Sequence, residues 1–282
     1  MLLVAYDGSG FHGFAVQPGH RTVGGVLGET LSLMAGHPVA LTCAGRTDTG
    51  VHALGQVVHA DLDAVFVEGV VPHGVDEAAE AAEGDVARLA RSLTRQLGPH
   101  VAVLDARRAP ESFDARFSAV ARRYRYDVLT GSWPDPLLRG RVWHVAGELD
   151  VAAMRIAADS LLGEHDFAAF CRRPPGDEGP LVRRVRDVSL RCGLGEGARL
   201  LRFEIEANAF CHRMVRSIVG MLVSVGESRF TAADLLAVLR SGDRQRGGSR
   251  LAPPDGLALS LVRYPPELVP GHPPDGVWRP PR

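Results

Sequence analysis

The chain has 282 residues, 45% of them hydrophobic, and a net charge of −1 at pH 7, enough apolar content for one large core or two coupled halves, burying roughly three quarters of the unfolded surface. All 32 basic residues are arginine, which excludes a Schiff-base lysine, a P-loop lysine and a kinase-type lysine. The longest apolar stretch, SIVGMLVSVG at 217–226, is far short of the ~20 residues that span a bilayer, no amino-terminal signal pattern precedes the strand-like LLVAY, and Cys43, Cys171, Cys192 and Cys211 lack the CxxC spacing of a zinc site or disulfide scaffold, so the cytoplasm is the expected compartment and no membrane partner is expected.

Taken in chain order, hydrophobic periodicity predicts a strand at 2–6, a helix at 22–36, strands at 39–44 and 55–62, a helix at 86–97, and strands at 101–106 and 119–129. A helix at 150–162, strands at 185–192 and 199–207, helices at 209–226 and 231–241 and a strand at 256–263 complete the pattern. Strands outnumber any simple βαβ repeat and Gly-x-Gly-x-x-Gly is absent, which argues against a dinucleotide fold. Residues 67–84 read as an acidic surface insertion, and 265–282, with seven prolines among eighteen residues, as an irregular tail.

The run CAGRTDTGVHALGQVVHAD (43–61) places one carboxylate, Asp48, in a tight turn between two strand-like segments, with Gly45 and Gly50 supplying permissive backbone. The guanidinium of Arg46 close by favours the ionised acid, which can serve as nucleophile or base. The bland alternative is a solvated turn in which Asp48 bonds its own backbone. Asp48-Thr49-Gly50 is also the aspartic-protease triplet, but that chemistry needs two such acids sharing a proton. The chain has no second Asp-Thr/Ser-Gly, so a protease would have to build its site from two copies.

Charge is unevenly distributed. Residues 61–90 carry eight acids against Arg88 alone, 107–126 carry six arginines, and Arg172, Arg173, Arg183, Arg184, Arg186 and Arg191 form a second basic cluster. Such segregation permits a positive groove on a neutral protein, and arginine forks suit phosphates; solvated strand faces are the alternative. In ARRYRYDVL (121–129) strand alternation puts Arg122, Tyr124 and Tyr126 on one face, a stacking surface or simply core tyrosines. In the predicted helix at 209–226, His212 and Arg216 fall one turn apart on one face, and a cation near a helix amino terminus calls for a compensating anion unless it reaches water.

Several segments, in order, resemble one family. GRTD-x-GVH followed by GQVVH is similar to the catalytic motif of the TruA family of tRNA pseudouridine synthases, and YDGSGFHGF (6–14) resembles its amino-terminal block. FDARFSAVARRYRY (113–126), GEHDFAAF (163–170) and ANAFCHRMVRSIVG (207–220) resemble its middle and carboxyl-terminal blocks. Phe14 and Ala15 stand where Trp-Gln is common, Gly24 where Gln is usual, and LTRQLGPHVAV (93–103) lacks the family's Asn-x-x-Leu-Pro.

The resemblance implies an α+β pseudouridine synthase fold: a mixed, mostly antiparallel sheet flanked by helices, in two similar halves expected at 1–107 and 108–264, with 265–282 as a tail. It implies isomerisation of uridine to pseudouridine in the anticodon stem-loop of tRNA, at positions 38 to 40, with no metal or cofactor and a homodimer presenting the tRNA. It makes Asp48 the nucleophile, Arg46 the residue that braces the space left by the flipped base, Tyr124 the ring packed on the uracil, and Arg216 the partner of the aspartate. Phe113, Asp114, Ala115, Arg116 and Phe117 match its tRNA-contacting segment. A non-catalytic RNA-binding relative is the rival reading.

Overall fold

The computed structural model describes residues 1–63, 84–173, 176, 179–194, 199–244, 246 and 250–280. The expected acidic insertion lies outside these residues except at Gly84. The chain forms two units, Met1–Val120 with Leu259–Arg282, and Ala121–Ala258.

The first unit begins with β1 (Leu2–Tyr6), α1 (Val23–Ala35), β2 (Thr42–Cys43), β3 (His52–His59), α2 (Gly84–Leu97) and β4 (Val101–Ala106). Strand β1 lies between β3 and β4, antiparallel to both, and the short β2 pairs with β3. Helix α1 starts where Thr22 accepts a hydrogen bond from the Gly25 amide and ends at Gly36 with φ 74, the cap residues that make its bounds legible. Its buried Val23, Leu27 and Leu31 are one turn apart and turn one face inward. The expected strand at 39–44 shortens to Thr42–Cys43, because the Val39 amide donates to the Ser32 hydroxyl at the end of α1 instead of joining the ladder.

The second unit contains β5 (Ala121–Thr130), β6 (Trp143–Val145), α3 (Val151–Asp159), β7 (Gly163–Asp166), β8 (Val182–Leu194), β9 (Leu200–Ala207), α4 (Met214–Gly226) and α5 (Ala232–Ser241). Its strand order is β5-β9-β8-β7, antiparallel throughout, with β6 parallel beside β5. Helix α3 packs on β8, α4 and α5. Strand β10 (Leu257–Arg263) begins in this unit and ends in the first, where it neighbours β3. Mostly antiparallel strands with helices packed against them make this an α+β protein, the class expected from sequence. Among the described residues no helix is long and apolar enough to cross a membrane.

Two further expectations change. Helix α4 starts at Met214, not near Ala209: the Arg172 amide donates to the His212 carbonyl at 2.9 Å, and Arg213 caps the helix with φ 65. His212 therefore does not share a helical face with Arg216. Cys171 and Cys211, forty residues apart, form a disulfide with Cα atoms 5.8 Å apart, a pairing that spacing does not signal. In the proline-rich segment, Trp278 is buried and donates to Asp105 at 2.9 Å.

Candidate active site

The turn carrying Asp48 joins β2 to β3 and is held along its length. The Ala44 amide donates to the Val57 carbonyl at 2.8 Å, and the buried Gln56 side chain donates to the Gly45 carbonyl at 2.6 Å. Beyond the acid, the Val51 amide donates to the Asp48 carbonyl at 3.1 Å and the Gly50 amide to the Phe11 carbonyl at 3.2 Å. Gly50 has φ 79, a backbone state that favours glycine. Within this frame Thr47 is buried, Asp48 half-buried and Arg46 exposed. Asp48 is thus half-buried on a backbone fixed by hydrogen bonds, two residues from the exposed Arg46.

The YDGSGFHGF segment packs against this turn. Tyr6 and Thr47 share a buried hydrogen bond of 2.7 Å between their hydroxyls, and the Phe14 amide donates to the Thr47 carbonyl at 3.1 Å. His52 accepts from the Gly8 amide at 3.1 Å and lies 3.3 Å from Asp7. Sequence reading missed Tyr6, Thr47 and Gln56 as supports of the turn; their spacing gives no hint of the pairing, although Tyr6 heads a motif already singled out.

The segment FDARF forms a second turn in the same unit. Asp114 accepts from the amides of Arg116 and Phe117, both at 2.7 Å. The Ala115 amide donates to His59 at the end of β3, at 2.9 Å, and the Ala115 carbonyl accepts from the Tyr264 hydroxyl at 2.7 Å. Phe113 and Ala115 are thus core residues, Phe113 packing 5.0 Å from the Tyr264 ring. Phe117 is 80% exposed with the Arg116 guanidinium 5.4 Å over its ring, a flat apolar and cationic surface suited to a nucleotide. Burial pushes the Cys43 thiol up while the charges of Arg46 and Arg116 pull it back, so both arginines project their fields onto β2.

In the second unit Tyr124 lies on β5 opposite Ile205, nearly buried, edge-on to Phe210 at 5.0 Å and 84°. Tyr126, on the same face, is fully buried and donates to the Pro253 carbonyl at 2.7 Å, a structural role. Arg216 sits in the first turn of α4 with its Nε donating to the Ala252 carbonyl at 2.8 Å.

The opposite face of β5 departs from the expected basic groove. Arg123 pairs with Glu206 at 3.0 Å and Asp187 at 2.8 Å. Arg202 grips Asp127 through two bonds of 2.7 and 2.9 Å, and Arg191 pairs with Glu204. Antiparallel register sets Asp187 of β8, Glu204 and Glu206 of β9 and Asp127 of β5 beside these arginines, so this face is charge-compensated at these positions. Among the described residues no group of three or more His, Cys, Asp or Glu is arranged to hold a metal ion.

Comparison with known proteins identifies the family. A family model described as tRNA pseudouridine synthase matches residues 157–265. The chain is similar to the tRNA pseudouridine synthase A of Frankia casuarinae, 42% identical over 269 residues that cover 94% of this chain and 89% of that protein. It is 42% identical to that of Leifsonia xyli over 271 residues, 94% of this chain and 91% of that protein. With that of Caulobacter vibrioides it shares 40% identity over 263 residues, 93% of this chain and 97% of that protein. Identity of 40–42% running over 93–94% of this chain and nearly the whole length of these relatives shows that the chain belongs to the tRNA pseudouridine synthase A family.

Proposed function

We propose that this tRNA pseudouridine synthase acts on uridines of the anticodon stem-loop, at positions 38 to 40, with Asp48 as its nucleophile and no cofactor. The observation that carries the proposal is the Asp48 turn itself: a half-buried acid, beside an exposed arginine, on backbone fixed by hydrogen bonds at both ends. The target nucleotide leaves the stack, and Arg46 braces the space it vacates. Asp48 adds to the nucleotide and the N1–C1′ bond breaks. The uracil then turns, its C5 bonds to C1′, the bond between Asp48 and the nucleotide breaks to release the carboxylate, and the C5 proton passes to a base while N1 gains a proton.

Tyr124 supplies the ring against the uracil, and Arg216 supplies positive charge to the ionised Asp48; both roles follow the family motif. The exposed Arg116 and Phe117 contact the tRNA, while Asp114 shapes their turn and Phe113 and Ala115 anchor it. Recognition of this kind rests on shape and backbone more than on base edges. A homodimer working in the cytoplasm, where its tRNA resides, is part of the proposal. Incubating the purified protein with an unmodified tRNA transcript and mapping pseudouridine tests it. Product confined to 38–40 is expected, whereas product elsewhere, or binding without product, contradicts the assignment.

A further inference from the structure

The first segment of the chain holds Thr47 from two directions. Its hydroxyl shares the buried 2.7 Å bond with Tyr6, and its carbonyl accepts from the Phe14 amide at 3.1 Å. Tyr6 is itself immobilised: it ends β1, paired with Ala53 of β3 on one side and Val101 of β4 on the other. Its ring is buried, 6.2 Å from that of Phe14. Gly13 permits the close approach, having φ 86 and a position where a Cβ would come within 2.6 Å of the Thr47 carbonyl oxygen. Thr47 directly precedes Asp48, and the peptide unit between them is planar. Holding the Thr47 carbonyl therefore fixes where the Asp48 amide nitrogen and Cα lie, the point from which the Asp48 side chain departs.

We propose that Tyr6 is a positioning residue for the isomerisation, fixing the aim of the Asp48 carboxylate through its hydrogen bond to Thr47. The proposal rests on Asp48 being the nucleophile. Displacement of a reacting group by ~1 Å costs on the order of 100-fold in rate while binding survives. A β-branched threonine has few χ1 states, so the Tyr6 bond to its hydroxyl also restrains the backbone that carries Asp48, and losing that bond releases the restraint. A purely structural bond would instead affect stability and leave turnover alone.

The test is steady-state pseudouridine formation on a tRNA transcript, with a melting curve for each variant, using full-length Tyr6→Phe, Thr47→Val, Thr47→Ser, the Tyr6→Phe/Thr47→Val double variant and Asp48→Ala. Tyr6→Phe and Thr47→Val are each expected to lower kcat ~10- to 100-fold with KM little changed. The double variant should be no worse than the worse single, because both remove one bond, and Thr47→Ser should recover most of what Thr47→Val loses. A Tyr6→Phe enzyme with wild-type kcat, or losses that multiply in the double variant, overturns the proposal. If Tyr6→Phe does not fold, the contrast between Thr47→Val and Thr47→Ser decides by itself. An inactive Asp48→Ala beside a full-rate Tyr6→Phe sinks the positioning role alone, whereas an active Asp48→Ala sinks the nucleophile assignment and the positioning role with it.

Discussion

Arg216 and Ala252 are tied by two hydrogen bonds running in opposite directions: the Arg216 Nε donates to the Ala252 carbonyl at 2.8 Å, and the Ala252 amide donates to the Arg216 carbonyl at 3.2 Å. A cation in the first turn of a helix opposes the helix dipole, and the Ala252 carbonyl offsets part of that cost. Because the guanidinium is planar, fixing Nε fixes the direction of the rest of the fork. The neighbouring Pro253 carbonyl accepts from Tyr126, whose hydroxyl burial pushes strongly up and the Arg216 charge pulls back. One short segment thus sets both Arg216 and the buried Tyr126, which stays protonated.

Replacing Arg216 should therefore damage turnover even when charge is kept. An ammonium has no planar fork to be steered by one carbonyl, so Arg216→Lys is expected to lower kcat at least ~10-fold and Arg216→Leu further. Arg216→Leu also leaves the Ala252 carbonyl without this donor, a loss of about 1–3 kcal/mol visible in denaturant melts. Wild-type turnover in Arg216→Lys would remove the fork from the account.

Tyr124 separates ring from hydroxyl. Tyr124→Phe keeps the edge-on contact with Phe210 and should bind tRNA normally, while turnover falls ~100-fold if the phenol takes the C5 proton. Rapid turnover in Tyr124→Phe, together with loss in Tyr124→Leu, would limit Tyr124 to stacking. Single-turnover assays at saturating enzyme distinguish the two.

The RNA surface is tested by salt. Removing Arg116 is expected to flatten the log–log dependence of tRNA affinity on salt by about 0.7–0.9 unit, the share of one phosphate contact. Arg123→Ala should not flatten it, because that guanidinium is engaged by Glu206 and Asp187. The reverse result would place the tRNA on the compensated face of β5.

Much of the fold was legible because its signals are local. Thr22 and Gly36 bound α1, and Thr231 with Asp234 forms the capping box that opens α5. The Asp48 turn was legible from its glycines and motif. What failed was decided at a distance. The apolar run from Ala209 looks helical, but the Arg172–His212 bond and the Cys171–Cys211 link hold 209–213 outside the helix. Arginines could be counted but not their compensation, since the acids that meet Arg123 come from β8 and β9. The Tyr6–Thr47 bond joins residues 41 apart, and no periodicity announces it.

The central claim is that the Asp48 carboxylate begins the reaction, and the most direct measurement is single-turnover pseudouridine formation by Asp48→Ala and Asp48→Asn at saturating enzyme, with tRNA affinity measured alongside. Backbone contacts supply most of the binding, so affinity is expected to change only a few-fold while product stays at background in both variants. A rate within about tenfold of wild type, only ~1.4 kcal/mol of barrier, would contradict the assignment and move the nucleophile elsewhere.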